Sequence, residues 1–252
     1  MARAIVRAPG KTYPSALTRQ TPAPRVDLAL AREQHAGYVR TLRQASLDVL
    51  ELPPDDLHAD AVFVQDRICV LDGRAIVSRS AVASREGEEG PILEVLQRDF
   101  PPEMLSAPAF LDWGDVLIAD NRLFVGLSER SNEESVRQLQ AMLAPRWTVA
   151  AVPLPGDLLH LLSGCSYLGE GSLLAVDSLV PFARKNGFTV VRVPSHEEAA
   201  ANVLPLRNTV VIPAGYPESQ ARIAQTGRRV VPVPMSEFQK RDGGVTCLSI
   251  LY

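Results

Sequence analysis

A few side chains able to do chemistry stand inside or beside apolar runs. Cys247 lies in GGVTCLSILY, His160 in LLHLLSG, Asp60 and Asp66 at the two ends of DAVFVQD, and Asp112 and Asp115 in LDWGD. A thiolate attacks electrophilic carbon, and a histidine beside it moves the protons. There are more carboxylates than a simple cysteine protease needs. Carboxylates gathered round a thiol would hold a cationic group near the sulfur. A guanidinium fits, being planar, cationic, rich in N–H donors and electrophilic at its central carbon. Taken singly, each residue has a plainer role. His160 can be a satisfied core histidine, Asp66 can bond to backbone, Asp115 can be a turn residue, and Cys69, Cys165 and Cys247 can be core filling.

The elements that carry these residues repeat along the chain. Residues 115–153 read as two strands, DVLIA and RLFVGLS, joined by a tight turn at Asp120-Asn121. Ser131 is the expected N-cap of a helix with Val136, Leu139, Met142 and Leu143 on its apolar stripe, and TVAAV closes the unit. The order recurs in VFVQDRICVL and RAIVS with a helix over 90–99, though without a clear closing strand. It recurs again in HLLSGCSYL, SLLAVD, a helix over 179–186 and TVVRV, and in NVLPL, TVVIP, a helix over 217–226 and RVVPV. At the N-terminus, RAIVRA, a helix over 28–46 and LDVLEL lack one hairpin strand, which Val245–Tyr252 at the other end supplies. Five ββαβ units predict a single-domain α/β propeller closed by pairing of the terminal strands. Hairpins argue against a doubly wound sheet, which uses single strands between helices. If the start of each unit faces the propeller axis, the thiol, the imidazole and the carboxylates converge there.

Composition narrows the partners. A formal charge of -3 carries no basic footprint, so nucleic acid is not expected. The first twenty residues lack the apolar stretch of a signal peptide, and no apolar run has the length of a membrane span. Three cysteines, an odd number, fit a reducing compartment and therefore the cytoplasm. GEG at 169–171 is a turn, not a nucleotide fingerprint, and His196-Glu197-Glu198 lacks the second histidine of a zinc protease motif. Glu86 to Glu89 reads as a solvated helix start.

These motifs, in this order, resemble the dimethylarginine dimethylaminohydrolase family of the pentein, or guanidine-modifying, superfamily. The resemblance runs over HADAVFVQD, SREGEE, LDWGDVLIADNRLFVGLSERSNEES, LLHLLSGCS and KRDGGVTCLSILY. It implies the five-bladed propeller and the release of citrulline from methylated arginines, with no cofactor and no metal. It also implies site roles. Cys247 is the nucleophile, His160 the general acid and base, and Asp112 the support of both histidine and guanidinium. Asp66 grips the guanidinium, beside Gln65. Arg85 and Arg130 bind the α-carboxylate. Asp60 and the carbonyl of Leu17 receive the α-amino group, and the carbonyl of Arg241 makes a further contact. The implied partner is a small guanidino amino acid, with a second copy of the chain as the one protein partner in view.

The chain departs from the family pattern twice. Gln65 stands where the family has glutamate, and Trp113 where it has glycine. Both bear on the choice of substrate. Two alternatives stay open at this point: a relative acting on arginine or another guanidine or ureido compound, and an amino-acid-binding propeller without turnover.

Overall fold

The computed structural model describes residues 2–156 and 158–252. Along the chain come β1 (Arg3–Arg7), α1 (Leu28–Gln44) and β2 (Asp48–Leu52), then β3 (Ile68–Leu71), β4 (Arg74–Val77), α2 (Gly90–Leu96) and β5 (Pro102–Met104). Next are β6 (Val116–Ala119), β7 (Arg122–Leu127), α3 (Glu133–Leu143) and β8 (Thr148–Pro153). They are followed by α4 (Leu161–Gly164), β9 (Cys165–Gly169), β10 (Ser172–Ala175), α5 (Val180–Lys185) and β11 (Thr189–Arg192). Last come β12 (Leu204–Leu206), β13 (Thr209–Pro213), α6 (Pro217–Ala224), β14 (Arg229–Val233), α7 (Ser236–Gln239) and β15 (Ile250–Leu251). The strands form five three-stranded sheets, ordered β15-β1-β2, β3-β4-β5, β6-β7-β8, β9-β10-β11 and β12-β13-β14. No helix among the described residues is long and apolar enough to cross a membrane.

The hairpin turns take left-handed backbone. Asp72 and Gly73 take φ 53° and 74°, and Asp120, Glu170 and Arg207 lie at 55°, 53° and 49°. Left-handed turn residues match the twist of the flanking strands, and Asp and Gly reach that region most readily. The third strand of each sheet lies at an edge. β2, β5, β8 and β11 each run parallel to the middle strand of their sheet. The chain therefore needs a helical crossover before it.

Contacts divide the chain into two compact units. One holds the residues up to Trp113 together with Val233–Tyr252, the other Gly114–Pro232. In the first, Ile5, Val64, Ile68, Val77, Ile92, Leu96 and Ile250 form one buried cluster. The chain termini meet there, with β15 antiparallel to β1 and Ile250 opposite Ile5. In the second unit Leu117, Phe124, Leu161, Leu173, Val210 and Ile223 belong to one core.

Several sequence expectations are corrected. The second repeat has its closing strand: β5 pairs with β4, Ala75 to Val77 opposite Pro102 to Met104. Three residues opened by proline, with no apolar alternation, left no period to read. α3 is capped by Asn132, whose side chain accepts from Ser135 N–H, and not by Ser131. The predicted strand Val245–Tyr252 is a 3-10 turn, Thr246–Leu248, ahead of the two-residue β15. Its approach is constrained at Gly243, where a Cβ would stand 2.4 Å from the Phe63 ring. The turn, and not the strand, carries Cys247. The same device recurs. Single turns at Val64–Asp66, Trp113–Asp115, Leu161–Gly164, Glu198–Ala201 and Thr246–Leu248 precede the first hairpin strand of each repeat. The chemistry-bearing residues sit on or beside these turns rather than within the strands.

Candidate active site

In the first unit the turns Val64–Asp66 and Thr246–Leu248 pack against each other. Asp66 ends one and Cys247 is the middle residue of the other. Cys247 is partly exposed, whereas Asp66 is buried. Burial pushes the Cys247 thiol up to about 12; the negative field of Asp66 adds to this, against the Gly244 backbone, the Thr246 side chain and Arg85. The thiol therefore carries its proton at neutral pH.

Asp66 Oδ2 accepts a hydrogen bond from Arg85 Nη1 at 2.8 Å. Its Oδ1 is buried and has no hydrogen-bond donor among the described residues. Arg85 Nη1 also stands 3.8 Å from Asp112 Oδ2. Arg85 Nε and Nη2 donate to Glu88 Oε2 at 3.0 and 2.9 Å. Glu88, expected in a solvated helix start, is 1% exposed. Desolvation pushes its carboxyl above the usual range, against the pull of Arg85. The three-residue spacing from Arg85 was the available signal for this pair, but such spacing is equally common on exposed helices.

Asp112 is fully buried, and Arg67 Nη1 lies 3.9 Å from its Oδ1. Arg67, 2% exposed, was not singled out from sequence, although a cation directly after Asp66 in an apolar run was a signal for it. Gln65 Nε2 donates to the Trp113 carbonyl at 2.9 Å. Trp113 is 1% exposed and packs inside the protein. Asp60 is brought to Leu17, whose N–H donates to its carboxylate at 3.2 Å. The Arg241 side chain donates to the carbonyls of Pro14, Pro24 and Lys240, which fixes the backbone at its own position.

His160 and Arg130 belong to the second unit. His160 is extended and directly precedes α4. Asp115, fully buried, ties that region together. Its Oδ1 accepts from Leu161 N–H at 3.1 Å, and its Oδ2 accepts from Ser128 Oγ at 2.6 Å and Ser131 Oγ at 2.7 Å. Burial raises the Asp115 carboxyl, while His160 and the three donors oppose the rise. Asp115 thus anchors the residue after His160, which sets the backbone from which the imidazole projects. Ser128 Oγ also accepts from Arg130 N–H at 2.9 Å. Sequence reading treated Asp115 as a candidate carboxylate or turn residue and did not see this network, which joins residues up to 46 positions apart.

Five hairpin-helix-strand repeats, with a thiol, an imidazole and carboxylates on the turns at their entrances, define the pentein class of guanidine-modifying proteins. Within that class the chain belongs to the dimethylarginine dimethylaminohydrolase family. The family model "N,N dimethylarginine dimethylhydrolase, eukaryotic" matches residues 19–250. The chain is 35% identical over 250 residues to the N(G),N(G)-dimethylarginine dimethylaminohydrolase of Pseudomonas aeruginosa, covering 98% of both chains. It is 32% identical over 251 residues to that of Streptomyces coelicolor, covering 98% of this chain and 96% of the relative. A solved cysteine-to-serine variant of the Pseudomonas aeruginosa enzyme, complexed with citrulline, superposes with a TM-score of 0.95 at 35% identity. That match covers 99% of this chain and 98% of the other. A histidine-to-glycine variant of a dimethylarginine dimethylaminohydrolase, as its adduct with S-methyl-L-thiocitrulline, also gives 0.95, with both chains fully covered.

Proposed function

We propose that the chain hydrolyses Nω-methylated arginines, asymmetric dimethylarginine and monomethylarginine, to citrulline and dimethylamine or methylamine. The observation that carries this is Asp66 Oδ1, a buried acceptor without a donor, on the turn packed against that of Cys247. A buried carboxylate oxygen left open is costly unless an N–H arrives to meet it. A guanidinium on Asp66 supplies that N–H and brings its central carbon to the sulfur.

The Cys247 thiolate attacks the guanidinium carbon. The carbon–nitrogen bond to the methylated amine breaks as protonated His160 donates to the leaving nitrogen, and a covalent thiouronium remains on Cys247. Neutral His160 then takes a proton from water as the water adds to that carbon. The carbon–sulfur bond breaks as the remaining hydroxyl proton passes to the departing sulfur, which restores the Cys247 thiol, and citrulline departs. Asp112 supports His160 and the guanidinium. The substrate cation offsets the field of Asp66 on the sulfur, which favours the thiolate at the moment it is needed. Gln65 lines the guanidinium end. Asp60 and the Leu17 carbonyl take the α-amino group, with the Arg241 carbonyl as a further contact. Arg130 and Arg85 read the α-carboxylate. In the structure Arg85 engages Asp66 and Glu88. The odd cysteine count supports a reducing, cytoplasmic setting.

Citrulline release from dimethylarginine, monomethylarginine and arginine tests the reading. The expected result is turnover of the methylated substrates, abolished in Cys247→Ser, with an acid-quenched adduct on Cys247 and not on Cys69 or Cys165. Preference for unmethylated arginine would assign the chain to a related hydrolase. Binding without any citrulline would make it an amino-acid binder.

A further inference from the structure

Arg67 has no role in the reading above, yet it is one of the most buried charges in the first unit. The Asp112 carboxylate is bracketed by two guanidiniums, Arg67 Nη1 at 3.9 Å from Oδ1 and Arg85 Nη1 at 3.8 Å from Oδ2. Arg67 reaches Glu89 Oε2 at 3.2 Å and the Ser78 carbonyl at 3.3 Å through Nη2. Its Nε and Nη1 have no hydrogen-bond acceptor among the described residues. The cation is therefore held by one edge, and its other edge faces the carboxylate expected to meet the substrate. Arg67 and Asp112 are 2% and 0% exposed at their side chains, so little water screens this field.

The charges add up simply. Asp66, Glu88, Glu89 and Asp112 contribute four negative charges to this group, Arg85 and Arg67 two positive, leaving two negative. Gln65 adds none. Without Arg67 the same group would present three.

The geometry points to Arg67 as a selectivity-setting residue that lowers the affinity of the guanidinium pocket for cations while leaving uncharged ureido groups unaffected. It acts through the field at Asp112, without touching the reacting atoms. Its penalty falls on the charged substrate and spares citrulline, whose side chain is neutral. The inference rests on the guanidinium being bound at Asp66 and Asp112.

The test compares a cation with a neutral ligand in the same site at pH 8, as the KM for asymmetric dimethylarginine and the inhibition constant of citrulline. Arg67→Gln is expected to lower the KM by about three- to tenfold and to keep the citrulline constant within about twofold. Arg67→Lys, which keeps the charge, is expected to hold the parent's ratio. Equal changes for both ligands in Arg67→Gln, or no change in either, would overturn the inference and leave Arg67 a packing residue. If Arg67→Gln does not fold, Glu89→Gln is decisive. Removing the anion from the outer edge of Arg67 is expected to raise the KM for the cation alone by about threefold, and an unchanged ratio there overturns the proposal. Absence of turnover in the parent would instead count against the hydrolase reading, because the Arg67 test reads only ratios between variants.

Discussion

Gln65 donates its side-chain amide to the main-chain carbonyl of Trp113 at 2.9 Å, so the two positions that depart from the family pattern are bonded to each other. The bond needs a donor at residue 65. A carboxylate there would turn an acceptor toward a carbonyl oxygen. Gln65 is thus matched to the backbone at Trp113, beyond being a glutamate without its charge.

Gln65→Glu is therefore expected to destabilise the protein, although it restores the family residue. Losing the donor and opposing two acceptors should cost about 1–3 kcal/mol. For a chain of this size that is a fall in melting temperature of roughly 2–10 °C. Thermal melting beside the parent checks it, and a variant melting at or above the parent would show that the bond contributes nothing.

The elevated Cys247 thiol has a kinetic signature. Only the thiolate is alkylated, and a thiol pushed up to about 12 is almost wholly protonated through the neutral range. In the absence of substrate, inactivation by iodoacetamide should accelerate about tenfold per pH unit between pH 7 and 9 without a plateau. A plateau near pH 7 would show that the thiolate already exists before the substrate cation arrives.

Ser131 offers a third test. Its hydroxyl bonds a buried carboxylate, Asp115, while the cap of α3 is Asn132. Ser131→Ala should cost about 1.5–3 kcal/mol, the range for a hydrogen bond to a charged group. Asn132→Ala should cost about 1 kcal/mol, as a lost helix cap. Denaturant unfolding of the two variants ranks them. The reverse order would show that the Ser131–Asp115 bond contributes less than the cap.

Much of the fold was legible because its signals are local. Asp72-Gly73 and Asp120-Asn121 announce left-handed turns, and the alternation around them marks hairpins. Cys247, His160 and Asp66 stood out as reactive types in apolar surroundings. Long-range pairing was less legible. Arg85 finds Asp66 nineteen residues away, and Arg67 meets Asp112 across forty-five, separations at which no sequence period operates. Apolar runs also misled where a turn replaced a strand. Val245–Tyr252 has strand composition throughout, but residues 246–248 turn and pack against the Val64–Asp66 turn, a partner outside the run.

The third strands have a cost for colloidal behaviour. Each lies at the edge of its sheet, where backbone groups can be offered to a strand from another molecule. β2 guards its edge with Asp48 and Glu51, β5 with Pro102 and Glu103, β11 with Arg192, and β14 with Arg229 and Pro232. β8, Thr-Val-Ala-Ala-Val-Pro, carries no charge and has its proline only at the last position. Side chains at 148, 150 and 151 are exposed, and the Val149 N–H at this edge is held by the Gln140 side chain at 2.8 Å. Aggregation of partly opened molecules should begin at β8, in the second unit, once Gln140 on α3 releases that edge.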